Sequence, residues 1–96
     1  MAIDRRDERT PFVVAALVRA TDAGELQWTE TAPQRYAVWG GAHWIYLRDG
    51  SPALLSVVIN FGPRERLVLD AAEARRLRAA VKASLERGMD RGFGVA

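Results

Sequence analysis

The chain has 96 residues, of which 49% are hydrophobic and 27% charged, and it contains no cysteine. This length fits a single domain, and the lack of cysteine excludes disulfides, thiolate metal sites and a cysteine nucleophile. A net charge of +2 is too small to mark a strongly basic nucleic-acid-binding protein. No apolar run approaches the roughly 20 residues of a membrane span, and the mixed charges at the N-terminus do not resemble a signal peptide. We therefore expect a cytoplasmic protein that does not associate with membranes.

A first helix is predicted close to the N-terminus. Thr10 and Pro11 are typical of a helix start, and residues 12–23 continue without glycine or proline. The preceding residues 1–9 carry mixed charges with little apolar content, so we expect them to form a flexible N-terminal arm.

A second helix is predicted near the C-terminus. Asp70 can cap a helix over residues 71–87, and Glu73 completes a near capping box. The glycine-containing residues 89–96 are expected to be a flexible C-terminal tail. Residues 10–88 then form a single domain.

Between the two helices, the sequence is typical of strands and turns. Apolar and polar residues alternate there, and glycine and proline mark the turns. Five strands are predicted, at residues 26–31, 34–39, 42–48, 54–61 and 66–69. The order of elements predicts an α+β fold with an N-terminal helix, a four- or five-stranded antiparallel meander and a C-terminal helix.

The first hairpin determines which side chains share a face of the sheet. A two-residue loop at residues 40–41 would let strand alternation collect three aromatic side chains on one face, with two arginines at their rim. These predicted partner-binding residues are Trp39, Trp44, Tyr46, Arg35 and Arg48.

The second hairpin is expected to be apolar on both faces. Its predicted alternation places Leu55 with Val68 on one face, and Leu54 with Leu67 on the other. An antiparallel sheet with one solvated face should be polar on that side. We therefore expect either one helix on each face or a partner on the second face, and we favour the partner.

Candidate chemistry is sparse along the chain. His43 is the only histidine, so a multi-histidine metal site is excluded. The serines lack the context of a catalytic nucleophile, and no glycine pattern between a strand and a helix suggests a phosphate loop. We predict no catalytic residues, no metal and no cofactor.

The remaining hypothesis is a non-enzymatic binding or regulatory protein whose aromatic sheet face makes protein–protein contacts. It would form a homodimer or a larger homo-oligomer, or contact another protein. The alternative is a single-stranded nucleic-acid-binding protein that uses the same face, because aromatic and arginine side chains can contact bases and phosphates. Trp44→Ala is expected to weaken association far more than Arg78→Ala.

Short motifs carry a resemblance across residues 16–85. They are Leu17-Val-Arg-Ala-Thr21, Gly24-Glu-Leu-Gln-Trp28, Tyr36, Leu47-Arg-Asp-Gly50 and Leu69-Asp-Ala-Ala-Glu-Ala-Arg75. Their layout is similar to that of small uncharacterised bacterial and phage proteins with a helix, an antiparallel β-meander and a closing helix. The resemblance implies the fold, is compatible with regulatory binding, and offers no catalytic residues to transfer.

Overall fold

The structure is a computed structural model that describes residues 4–40, 43–50, 52–59 and 64–94. Within these residues, helix α1 spans Thr10–Asp22 and helix α2 spans Ala71–Gly94. The strands are β1 (Asp4–Arg5), β2 (Thr29–Ala32), β3 (Arg35–Gly40), β4 (His43–Arg48), β5 (Ala53–Ile59) and β6 (Arg64–Leu69). They form one sheet in the order β1-β6-β5-β4-β3-β2, in which β2 to β6 are an antiparallel meander and β1 pairs in parallel with β6. This arrangement confirms the predicted α+β fold.

Both helices pack on the same face of the sheet. Val14 and Leu17 of α1 and Leu77 and Val81 of α2 belong to one buried cluster. The remaining buried members of this cluster are Trp28, Tyr36, Val38, Ile45, Leu47, Ala53, Leu55, Leu67 and Leu69. The two helices also contact each other, so they form a single layer. The expectation of one helix on each face is therefore wrong for the described residues, and a partner on the second face stays a prediction. We call the opposite face the open face.

The register of the first hairpin differs from the prediction by two residues. Trp39 pairs directly with Trp44, and Arg35 pairs directly with Arg48. The described pairing continues to Gly40 and His43, so Gly40 belongs to β3 and not to the predicted loop at residues 40–41; residues 41–42 lie outside the described part of the chain. Because side chains alternate with a period of two, a shift of two leaves each of them on its predicted face.

The predicted faces of the second hairpin are wrong for strand β6. Leu55 pairs with Leu67, instead of sharing a face with Val68. The predicted strand end and turn at residues 60–63 lie outside the described residues. A register change of one residue moves every side chain of a strand to the other face. Leu67 therefore joins the core, whereas Arg66 and Val68 lie on the open face, and the guanidinium group of Arg66 makes this face more polar than predicted.

Part of the predicted N-terminal arm is paired in the structure. Strand β1 lies along β6, and the Arg6 guanidinium donates hydrogen bonds to the carboxylate of Glu73 at the start of α2. Arg9 Nη2 lies 3.1 Å from Glu65 Oε1 on β6. Residues 1–3 of the arm lie outside the described chain. Composition alone could not reveal these contacts, because the partners lie more than fifty residues away in the sequence.

Helix α2 is longer than predicted. It continues through Gly88 to Gly94, and so includes most of the predicted tail at residues 89–96, whose last two residues lie outside the described chain. One glycine inside a helix costs about 1 kcal/mol and does not by itself end the helix. Near this end, Arg87 Nη2 donates a 2.9 Å hydrogen bond to the carbonyl oxygen of Thr21, which connects α2 to α1.

Strand β2 begins later than predicted, and Trp28 lies in the loop before it. The indole of Trp28 is buried, and its Nε1 donates a 2.9 Å hydrogen bond to Oγ1 of Thr21, which is also buried. Trp28 therefore fills the core next to α1 instead of belonging to the sheet. Its indole is distinct in this respect from the two exposed tryptophans of β3 and β4.

Candidate functional site

All five residues predicted to contact a partner lie on the open face. Exposed and buried positions alternate along β4, so Trp44, Tyr46 and Arg48 face away from the helices. Trp39 and Arg35 of β3 take the same face because they pair with Trp44 and Arg48. The side chains of Trp39, Trp44 and Tyr46 are 45%, 43% and 39% exposed, although they are large and mostly apolar.

One end of this face is aromatic. The ring centroids of Trp39 and Trp44 are 5.1 Å apart with an interplanar angle of 59°, which is a tilted pair. Trp44 also pairs across the sheet with Val58 of β5. Aromatic pairs at such distances stabilise each other beyond the area that they bury. We call Trp39, Trp44 and Val58 the indole end.

The other end of the face is cationic. Arg35 and Arg48 are direct cross-strand neighbours, and Arg48 in turn pairs with Leu54 of β5. Among the described residues, neither arginine forms an ion pair. Like charges in directly opposed positions destabilise a sheet. We call Arg35, Arg48 and Leu54 the arginine end.

A depression of about 400 Å³ lies between the arginine end and the middle of the face. The polar side chains that line it on the open face are Arg35, Arg48, Arg66, Thr31, Tyr46 and Ser56. Each of them can donate a hydrogen bond, and no described residue of the lining carries a carboxylate. We call this feature the arginine depression.

Sequence reasoning missed Ser56 and Arg66 as members of the open face. They pair with each other, and Ser56 pairs with Tyr46, so the three side chains form one row across the sheet. The alternation of side chains in β6 could have placed Arg66 on the open face. Leu67 and Leu69 are the apolar side chains that fit the core, so Arg66 must point to the opposite face. The predicted register ignored this alternation.

Acidic side chains are paired on the helix side of the sheet. Asp49 Oδ2 lies 3.1 Å from Nη1 of Arg78 on α2. The Arg6 guanidinium holds the pKa of Glu73 below its ordinary value, and the backbone N–H of Asp70 acts in the same direction, although burial opposes them. These two ion pairs involve α2, so they do not neutralise Arg35 and Arg48 on the open face.

No protein-family model matches the chain, and neither the curated proteins nor the solved structures contain a significant match to it. The resemblance to small bacterial and phage proteins therefore stays a prediction, apart from the α+β fold itself. In the part of the chain that the structure describes, neither helix has the length and apolar content needed to cross a bilayer.

Proposed function

We propose that this protein is a non-enzymatic binding protein that forms a homodimer through the indole end of its open face. The observation that carries this proposal is an aromatic cluster on a sheet face that the described residues of both helices leave uncovered. A free face of an antiparallel sheet is normally polar. Tryptophan, tyrosine and arginine are the residue types that dominate the centres of protein interfaces.

The exposed aromatic area is of a size that suits the centre of an interface. Trp39 and Trp44 of the indole end retain 45% and 43% exposure. With about 200 Å² for each side chain, this corresponds to roughly 175 Å² of aromatic surface. A standard interface buries about 800 Å² per partner. The aromatic cluster would supply its centre, and the neighbouring aliphatic groups and arginine stems would supply the surrounding area.

The distribution of charge favours a second copy of the chain at the indole end. A two-fold axis brings the same surface of both protomers together. An axis at the indole end would stack the Trp39–Trp44 pairs of the two copies, and would leave each arginine end about 13 Å along the strands from the axis. An axis at the arginine end would instead bring like charges together. Arg35 and Arg48 would therefore lie at the rim of the contact.

The test compares the self-association of Trp44→Ala and Arg75→Ala by sedimentation velocity over a concentration series. Trp44 would be central to the contact, so its loss should raise the dimer Kd about 30-fold or more, as expected for a residue worth about 2 kcal/mol. Arg75 is an exposed residue of α2, and its loss should leave the Kd within about two-fold. Arg78 is a poorer control, because it forms an ion pair with Asp49.

Thermal melting of the variants separates weak association from misfolding. Trp44 lies on the open face, away from the helix-covered core, so Trp44→Ala should keep a cooperative transition. Acrylamide quenching gives a second measurement, because two tryptophans should become protected as the concentration rises, while Trp28 is buried throughout. A wild-type protein that stays monomeric at hundreds of micromolar, or equal weakening by both variants, would contradict the proposal.

A further inference from the structure

We infer that the arginine depression binds the phosphate group of a nucleotide, either free or within a single strand, and that the ring of Tyr46 supports the adjoining base. This site lies away from the indole end. Ligand binding at this site does not depend on the proposed homodimer, because a dimer formed through the indole ends would leave the two arginine ends apart.

The side chains of the depression select an anion. The guanidinium groups of Arg35 and Arg48, which form no ion pair with a described residue, line it together with several hydroxyl groups, and the described lining residues include no carboxylate. The planar fork of a guanidinium matches two oxygens of a phosphate, and such charge-assisted hydrogen bonds are among the strongest in proteins. A volume of about 400 Å³ exceeds the needs of an isolated carboxylate and leaves room for a sugar beside a phosphate.

The opposed arginines favour a ligand that neutralises them. Arg35 and Arg48 are direct cross-strand neighbours without an ion pair to any described residue. Repulsion between them weakens the sheet. A phosphate between the two guanidinium groups would remove that repulsion, so part of the binding free energy would come from its relief.

Tyr46 extends the site from the phosphate to a base. It lies on β4 between Trp44 and Arg48, and its partly exposed side chain lines the depression. The Tyr46 ring stacks on that of Trp44, with centroids 6.3 Å apart and an interplanar angle of 24°, which supports its orientation. Stacking on an aromatic ring tolerates every base. The expected ligand is therefore a nucleotide of any base, whereas inorganic phosphate would use the arginines alone.

The test measures, by fluorescence anisotropy, the binding of a labelled oligothymidylate of about ten nucleotides over a range of salt concentrations. Each phosphate contact with a single strand contributes about 0.7 to the slope of log K against log salt. We expect Arg35→Gln and Arg48→Gln each to reduce that slope by about this amount, and to weaken binding about five-fold or more at low salt.

Arg75→Gln is the matched control, because it removes the same charge from the exposed surface of α2. Its binding should stay within about two-fold of the wild type. Equal weakening by Arg75→Gln and Arg35→Gln would overturn the inference, because net charge would then explain the binding. The absence of binding to the oligothymidylate, together with no binding of thymidine monophosphate, would also overturn it.

Competition identifies the source of the phosphate and the role of Tyr46. Displacement of the labelled strand by thymidine monophosphate supports a free nucleotide as ligand, and resistance to it supports a strand. Tyr46→Leu should weaken the binding of the labelled oligothymidylate about five-fold. It should leave unchanged the concentration of inorganic phosphate that displaces the strand. Equal binding of the strand to Tyr46→Leu and to the wild type would overturn the assignment of the base to this ring.

The same variants distinguish this inference from the proposed homodimer. Arg35→Gln removes one of two like charges, so it should not lower the melting temperature, and as a rim residue it should change the dimer Kd far less than Trp44→Ala does. If Trp44→Ala abolishes the dimer while no variant binds the nucleotide probes, the homodimer stands and the nucleotide site is wrong. If the wild type is monomeric but binds the strand through Arg35 and Arg48, the reverse holds.

Discussion

Glu73 joins the N-terminal arm to helix α2, and its removal should destabilise the fold measurably. Its Oε1 accepts a 3.0 Å hydrogen bond from the backbone N–H of Asp70, while its own N–H donates a 2.7 Å bond to Asp70 Oδ1, which completes the predicted capping box. Its carboxylate also accepts two hydrogen bonds from Arg6. The Glu73 side chain is 10% exposed, whereas that of Arg6 is 40% exposed.

The expected cost of Glu73→Ala follows from these contacts. Loss of the capping bond should cost about 1 kcal/mol. Loss of the ion pair should cost at most about 1 kcal/mol, because solvent screens the half-exposed Arg6. The total of about 1–2 kcal/mol corresponds to a decrease in Tm of roughly 5–15 °C for a domain of this size. Glu73→Gln keeps an oxygen for the Asp70 N–H, so it should lose only the ion-pair part.

Thermal melts followed by circular dichroism test this prediction, with Glu86→Ala on the exposed side of α2 as the control. Because the folded state lowers the pKa of Glu73, the carboxylate stabilises the protein at neutral pH. This stabilisation should disappear as the pH falls below about 4.3 and through the folded pKa. The difference between the wild type and Glu73→Gln should then vanish. Equal melting of Glu73→Ala and Glu86→Ala at neutral pH would refute the reasoning.

Two further substitutions test the core. Thr21→Val should lower the free energy of unfolding in urea by about 1–3 kcal/mol, because the buried Nε1 of Trp28 loses its acceptor. Thr21→Ser is the control, because it keeps the hydroxyl group. A Ser variant less stable than the Val variant would contradict this prediction. Burial raises the pKa of Tyr36, and Glu30 and Asp49 add to the effect. The protonated phenol therefore stabilises the fold below about pH 10, and this contribution is lost at higher pH. When the pH is raised above about 10, the melting temperature of Tyr36→Phe should fall less than that of the wild type. An identical fall in the melting temperatures of the two proteins would contradict this prediction.

The faces of β3 and β4 could be predicted from the sequence, even though their register could not. Side chains alternate with a period of two, so the residues of β4 separate into exposed Trp44 and Tyr46 and buried Ile45 and Leu47 wherever the loop falls. The face of Arg66 was predicted wrongly although the alternation of Leu67 and Leu69 in β6 could have placed it. The predicted faces rested on an assumed register between β5 and β6, and an error of one residue in that register reverses the strand.

The sequence by itself predicts the cap of α2, and it predicts that the aromatic side chains share a face of the sheet with Arg35 and Arg48. Each of these features depends on residues only a few positions apart. The structure alone placed both helices on one side of the sheet and set Arg35 directly opposite Arg48. It also joined Arg6 to Glu73 across the fold. Such contacts depend on how distant segments pack together, and local propensity carries no information about that packing.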